Sequence, residues 1–339
     1  MQDNVLLEIK DLRTHFFTDE GVVKAVEGAS LSLMKGRTLG IVGESGCGKS
    51  ITARSILQII DAPGKVVSGS ILYNDPTRGV VDLAKMNPRG KEIRRFRGKE
   101  IGYIFQEPLA SFSPVHMVGD QIAENILVHE SISVKEARDR VVELLRNVGI
   151  PNAEKRYDVY PFQLSGGMRQ RAMIALALAC NPNLLIADEP TTALDVTTQA
   201  QILELFEELK EKYKMSMILI THDLGVVAEM CDDVAVMYLG RVVETTDVDS
   251  IFYNPKHPYT QSLLESIPRL GSKGNRLATI RGMVPHPLNR PKGCQFHPRC
   301  PAFMKGVCEL AEPGDVTVGE GSIVRCFKYD GKVETTHGA

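Results

Sequence analysis

The sequence predicts an α/β protein built on a buried, mostly parallel sheet. Two observations carry that prediction. Four short apolar runs, at residues 38–43 (TLGIVG), 183–188 (NLLIAD), 216–221 (SMILIT) and 234–240 (VAVMYLG), are continuous rather than alternating. Strands covered on both faces read this way, because neither set of side chains meets water. The stretches between the runs carry helical patterns, and the long one between the first two runs reads as a helical insertion. At 339 residues the chain exceeds one typical core, so a second unit is expected.

The elements follow in order. The run at 38–43 feeds GESGCGKS (residues 43–50), and SITARSILQII continues from Ser50 as a helix. Within the insertion, residues 133–150 open with Ser133 and Glu136 at the spacing of a capping box. Ala137, Val141, Leu144, Leu145 and Val148 then share one helical face. LLIADEP (184–190) is a strand that ends in two carboxylates. Near Asn254 the character changes to a Gly-, Pro- and base-rich stretch with few apolar runs. This places a boundary at about residue 255, dividing the chain into 1–255 and 256–339. So small a unit with so little apolar material commonly needs a staple such as a metal.

GESGCGKS fits G-x-x-x-x-G-K-[ST] between a strand and a helix, the context that makes this pattern a phosphate site. Its glycines allow backbone N–H groups to turn onto phosphate oxygens, and the helix start adds a positive dipole end. Gly43, Ser45, Gly46, Cys47, Gly48, Lys49, Ser50 and Ile51 are the expected nucleotide-binding set. Cys47 among them reads as a small filler. Lys49 is expected at the β- and γ-phosphates, and the Ser50 hydroxyl at Mg²⁺. Asp188 and Glu189 alternate along their strand and so serve differently: Asp188 for Mg²⁺, Glu189 as the general base that takes a proton from water.

LSGGMRQR (164–171) narrows the class. With the loop and the Asp-Glu strand, in this order, residues 5–250 resemble the nucleotide-binding subunit of an ABC transporter. Met168 stands where many members have Gln, but Ser165, Gly166 and Gly167 are intact. The resemblance implies a P-loop NTPase core with an ABC helical subdomain over about residues 107–178. It implies that Gln106 (in YIFQEP) senses Mg²⁺ and the attacking water. Asp195 (in TTALD) belongs to the D-loop, and His222 (in ITHD) contacts the γ-phosphate. Phe16, or otherwise Phe17, stacks on adenine. Ser165, Gly166 and Gly167 open a helix whose N–H groups face the ATP of a second subunit, so two chains close around two nucleotides.

Composition fits a folded protein, with 43% hydrophobic and 24% charged residues. A formal charge of −2 gives no hint of nucleic acid. The N-terminus lacks a secretory pattern, and the richest apolar run, MIALALAC (173–180), is far short of a membrane span. The expected location is the cytoplasm, peripheral on the inner face of the membrane.

NPKHPYTQSLLESIP (254–268) and GCQFHPRCP (293–301) are similar to the tail of the dipeptide and oligopeptide uptake branch. The resemblance implies two membrane permeases, a second and different ATPase chain, and an external peptide-binding protein. Nickel import is the related alternative. A repair or translation ATPase is the alternative of another class, and the single cassette without heptads or basic inserts weighs against it. HPYT also has a plain physical job as a proline-bounded helix start, with Tyr259 and the leucines packing on the cassette.

Cys294, Cys300, Cys308 and Cys326 follow C-x₅-C-x₇-C-x₁₇-C. In a reducing compartment such clusters lean towards metal rather than disulfides. Four thiolates suit Zn²⁺ or a 4Fe–4S cluster. The resemblance to this branch favours the 4Fe–4S cluster, with Zn²⁺ and free structural thiols as the alternatives. The expected tail is thus a small C-terminal metal-binding domain. Cys180 and Cys231 lie at apolar element ends and read as packing residues.

Overall fold

The computed structural model describes residues 3–106, 111–192, 194–266, 280–319 and 321–330. All four apolar runs are strands of one sheet: β3 (Thr38–Val42), β7 (Leu184–Asp188), β8 (Ser216–Ile220) and β9 (Asp233–Tyr238). With β6 (Ile101–Ile104) they run parallel in the order β9-β3-β8-β7-β6. Their continuity has the predicted cause. Leu184 and Ile186 enter one core and Leu185 and Ala187 the other, so alternate side chains of one strand fill opposite faces. Each fully buried Leu or Ile is worth about 1.5–3 kcal/mol, which is what fixes this register.

One face is covered by a second, antiparallel sheet in the order β2-β1-β4-β5, made of β1 (Val5–Thr18), β2 (Gly21–Met34), β4 (Gly64–Asp75) and β5 (Gly79–Asp82). Leu7, Ile9, Leu12, Leu33 and Ile71 pack there with Ile41, Ile218 and the first helix, α1 (Lys49–Ile56). A short helix, α2 (Lys91–Phe96), precedes β6.

The insertion is helical, as expected: α3 (Val118–His129), α4 (Val134–Asn147), α5 (Ala153–Tyr157) and α6 (Gly166–Ala177). Residues 107–110, where it was expected to begin, lie outside the described residues. The capping box forms, with Ser133 Oγ accepting from the Glu136 N–H and Glu136 Oε2 accepting from the Ser133 N–H. All five residues of the predicted apolar face are buried. Gly119 lets α3 approach Tyr157, whose ring lies 2.2 Å from where a Cβ would sit.

After β7 come α7 (Val196–Tyr213), α8 (Leu224–Met230) and the antiparallel β10 (Arg241–Asp247). Then follow α9 (Val248–Tyr253) and α10 (Pro258–Glu265). The segment beyond residue 255 adds β11 (Val316–Gly319) and β12 (Ser322–Val324) to the same large sheet, with β12 pairing antiparallel to β10. Its Tyr259 and Phe296 pack tilted and edge-on against Tyr238 of β9 and belong to the cassette's core. HPYT starts α10 as predicted, with the His257 side chain capping the Tyr259 N–H. Among the described residues no helix is long and apolar enough to cross a membrane.

Candidate active site and the thiol cluster

The loop after β3 stands at the carboxyl end of the parallel strands, where open α/β sheets place their ligands. Two of its glycines are required by geometry. At Gly43 (φ 151°) a Cβ would fall 2.2 Å from the Met237 carbonyl oxygen, and at Gly48 (φ 104°) 2.5 Å from that of Ala25. Ser45 and Gly46 are exposed, whereas the Cys47 side chain is buried and its thiol is pushed up by burial. Cys47 is therefore a packing residue whose carbonyl accepts from the Gly240 N–H. Ile51 packs partly against the core of the second sheet. Lys49 is buried, and its Nζ donates to the carbonyls of Gly43 (2.7 Å) and Glu44 (3.2 Å). The ammonium thus already lies inside the loop.

Facing the loop, Ser50 Oγ donates to Asp188 Oδ1 at 2.8 Å, and the Tyr103 hydroxyl donates to Oδ2 at 2.9 Å. Asp188 is 1% exposed. Burial raises its pKa, against the opposing pull of these two hydrogen bonds. A buried carboxylate beside a hydroxyl is a hard-oxygen donor pair, and it fits Mg²⁺. Tyr103 was not among the expected site residues, although it lies in the same YIFQEP stretch that pointed to Gln106.

The next residue, Glu189, turns differently because its backbone is left-handed (φ 47°), a conformation uncommon outside glycine. Its Oε2 collects three groups: Gln106 Nε2 at 3.2 Å, Thr192 Oγ1 at 3.0 Å and His222 Nδ1 at 3.5 Å. Thr192 is a second residue that sequence reasoning passed over. It sits three positions from Glu189 and is the second residue of TTALD, which was its only signal. Lys49, Ser50, Gln106, Asp188, Glu189 and His222 thus come together as two linked clusters at the ends of β3, β7 and β8.

The other expected residues make their contacts elsewhere. Ser165 caps α6 by accepting from the Met168 N–H, and Ser165 and Gly166 are exposed at that helix start. A Cβ on Gly167 would meet Thr198 of α7. Asp195 caps α7 through the Thr198 N–H and hydroxyl, which hold its carboxyl below the usual range. The Phe16 ring packs on Gly64, and Phe17 is exposed with the Lys65 ammonium 4.7 Å from its ring centre.

In the tail, the Cys294 N–H donates to the Cys308 carbonyl at 2.7 Å. Cys300 closes the turn His297–Arg299, and Cys326 opens the turn Phe327–Tyr329. Burial, added to by the neighbouring thiols, pushes Cys294 up to about 11 and Cys300 to about 12. Cys294, Cys300, Cys308 and Cys326 are thus within electrostatic range of one another. Yet among the described residues no three or more His, Cys, Asp or Glu side chains form a group that could hold a metal ion. The expected metal-binding domain is not assembled here. Burial pushes the Cys294, Cys300 and Cys326 thiols up and so favours their protonated form, which is not the metal-binding one. His297 and His286 are engaged with their own loops, at Cys294 O and the Leu288 N–H.

The sequence pattern described as ABC transporter matches residues 26–192, and that of the oligopeptide/dipeptide transporter C-terminal region matches 243–308. The chain is 49% identical to the oligopeptide transport ATP-binding protein AppD of Bacillus subtilis, over 96% of this chain and 98% of that one. It is 46% identical to the dipeptide transport ATP-binding protein DppD of Escherichia coli, over 95% and 96%. The fold is similar to the dimeric, post-hydrolysis ATP-binding cassette MJ0796 bound to ADP and Pi, with a TM-score of 0.63 and 25% identity over 72% of this chain and 99% of that one. Loop, carboxylate pair and tail therefore agree: the chain belongs to the family of ABC transporter ATP-binding subunits that carry the oligopeptide/dipeptide transporter C-terminal region.

Proposed function

We propose that this chain hydrolyses ATP to power the import of dipeptides or oligopeptides through a membrane complex. The observation that carries it is the convergence of Gln106, Thr192 and His222 on Glu189, beside the Ser50–Asp188 pair at the mouth of the loop. Backbone N–H groups of residues 43–50 and Lys49 hold the phosphates. Ser50, Asp188 and Gln106 would hold Mg²⁺, which when bound neutralises charge on the β- and γ-phosphate oxygens. Gln106 and His222 position a water against the γ-phosphorus, and Glu189 accepts its proton. The new P–O bond forms as the bond to the β-phosphate oxygen breaks, and ADP leaves with that electron pair. Glu189→Gln should keep ATP binding and lose turnover by about 10²–10⁴-fold, the usual worth of a general base. Unchanged turnover would remove Glu189 from the role.

The exposed helix start at Ser165, Gly166 and Gly167, with Asp195 nearby on α7, supports a second half-site for the nucleotide of a partner ATPase. The partner is a different chain of the same family, and Phe16 is the adenine-stacking residue. The cassette comprises residues 1–255 and the extension 256–339. The names of the similar AppD and DppD chains support peptide transport. Two permeases, an external binding protein and a place on the cytoplasmic face of the membrane belong to that reading.

For Cys294, Cys300, Cys308 and Cys326 the proposal is a 4Fe–4S cluster, with Zn²⁺ as the alternative. The four soft donors and their mutual electrostatic range support it. Iron, sulfide and zinc assays on anaerobically purified protein decide it, and absence of all three leaves free thiols.

A further inference from the structure

The carboxylate and the N–H of Glu44, the second residue of the phosphate loop, are both held from the C-terminal segment. Its carboxylate accepts two hydrogen bonds from Arg299, Nη1 to Oε2 at 2.7 Å and Nη2 to Oε1 at 3.0 Å. Its N–H donates to the Tyr259 hydroxyl at 2.9 Å. The two holding groups are themselves fixed. The Arg299 side chain is 4% exposed, its Nε donates to the Arg281 carbonyl, and its Nη1 reaches the Tyr238 hydroxyl. Tyr259 is fully buried against Tyr238 and Phe296. A second brace reaches the loop indirectly. Arg290 donates to the Leu239 carbonyl, and the adjoining Gly240 N–H donates to that of Cys47.

We infer that Arg299 and Tyr259 are positioning residues for the ATP site, and that the C-terminal segment sets nucleotide affinity through Glu44. The inference rests on the reading of residues 43–50 as that site. A carboxylate in this loop opposes a triphosphate by like-charge repulsion. The two-point guanidinium contact neutralises the carboxylate and keeps it turned to the tail. The Tyr259 hydroxyl fixes the backbone at the same residue. The tail therefore does more than pack on the cassette: it pre-shapes the cradle before ATP arrives.

The test measures ATP affinity and turnover of the full chain, together with thermal stability, for four variants. Arg299→Gln should weaken ATP binding about tenfold, towards the lower end of usual couplings between sites. KM should rise while kcat holds. Adding Glu44→Gln to Arg299→Gln should restore affinity to within about twofold, because the unpaired carboxylate is then gone. Tyr259→Phe, which removes one oxygen and leaves the packing, should also weaken ATP. Wild-type affinity in both Arg299→Gln and Tyr259→Phe would overturn the inference. So would a loss in Arg299→Gln that Glu44→Gln does not relieve, since that is the mark of a general folding defect. Lys49→Ala separates the two levels: if it binds ATP normally, the site reading itself fails and this inference falls with it.

Discussion

The Ser50 hydroxyl, on the first turn of α1, donates to the Asp188 carboxylate at the end of β7 across 2.8 Å. The two residues are 138 positions apart in sequence, and β8 lies between their strands in the sheet. The contact fixes where the loop that holds phosphate meets the strand that holds the carboxylates. In the reading proposed above, its two oxygens are the donors for Mg²⁺, one from each side.

Ser50→Ala should therefore separate nucleotide from metal. It removes one oxygen donor and leaves Asp188 more weakly held. The Mg²⁺ concentration for half-maximal ATPase should rise about tenfold or more, the equivalent of one charge-assisted contact of about 1.5–3 kcal/mol. A Mg²⁺ titration at saturating ATP reads this directly, and an unshifted midpoint would remove Ser50 from the metal site.

Thr192 is assigned to the orientation of Glu189 through its 3.0 Å hydrogen bond. Thr192→Val keeps the shape and deletes the donor. Turnover should fall about three- to tenfold, the value of a single hydrogen bond of about 1 kcal/mol, with ATP affinity unchanged. Steady-state kinetics beside equilibrium ATP binding distinguish this from a loop defect, which would lower both.

The tail should loosen in acid. Burial lowers the pKa of His257 from its ordinary 6.5 to about 3, and its Nδ1 accepts from the Tyr259 N–H. The folded state therefore holds it neutral, while the unfolded chain takes up a proton below about 6.5. Stability falls by up to about 1.4 kcal/mol per pH unit as pH drops from 6.5 towards 3. Glu244, which accepts from the N–H groups of Lys256 and His257, has a pKa raised by burial and contributes the opposite slope. His257→Asn retains a capping acceptor without the titration. Thermal melts of both proteins from pH 7 to 4 should show a shallower loss in the variant, and parallel curves would refute the assignment.

The sheet and the candidate cluster at its end were legible because their signals are local and redundant. β3, β7, β8 and β9 are unbroken apolar runs, and Lys49, Ser50, Asp188 and Glu189 flank two of them. The second sheet was not legible as such. β1 shifts register between Leu12 and Arg13 and again between Thr14 and His15, so Thr14 and His15 are both buried and no clean period of two survives. The hold of the tail on Glu44 was invisible for another reason. Glu44 and Arg299 are 255 positions apart, and each alone reads as a solvated charge. The thiols present the opposite difficulty: their spacing is plain in the sequence, yet among the described residues they form no group that could hold a metal ion.

The β11–β12 hairpin, described above as an addition to the sheet, also settles what that sheet shows to other molecules. A bare β10 would end the cassette in a seven-residue strand with unpaired backbone groups, the kind of template on which chains stack edge to edge. β12 occupies that side, and β11, only four residues long, becomes the outermost strand. The tail thus interrupts that border at its middle, at Glu244 and Thr245, and leaves a short strand outermost.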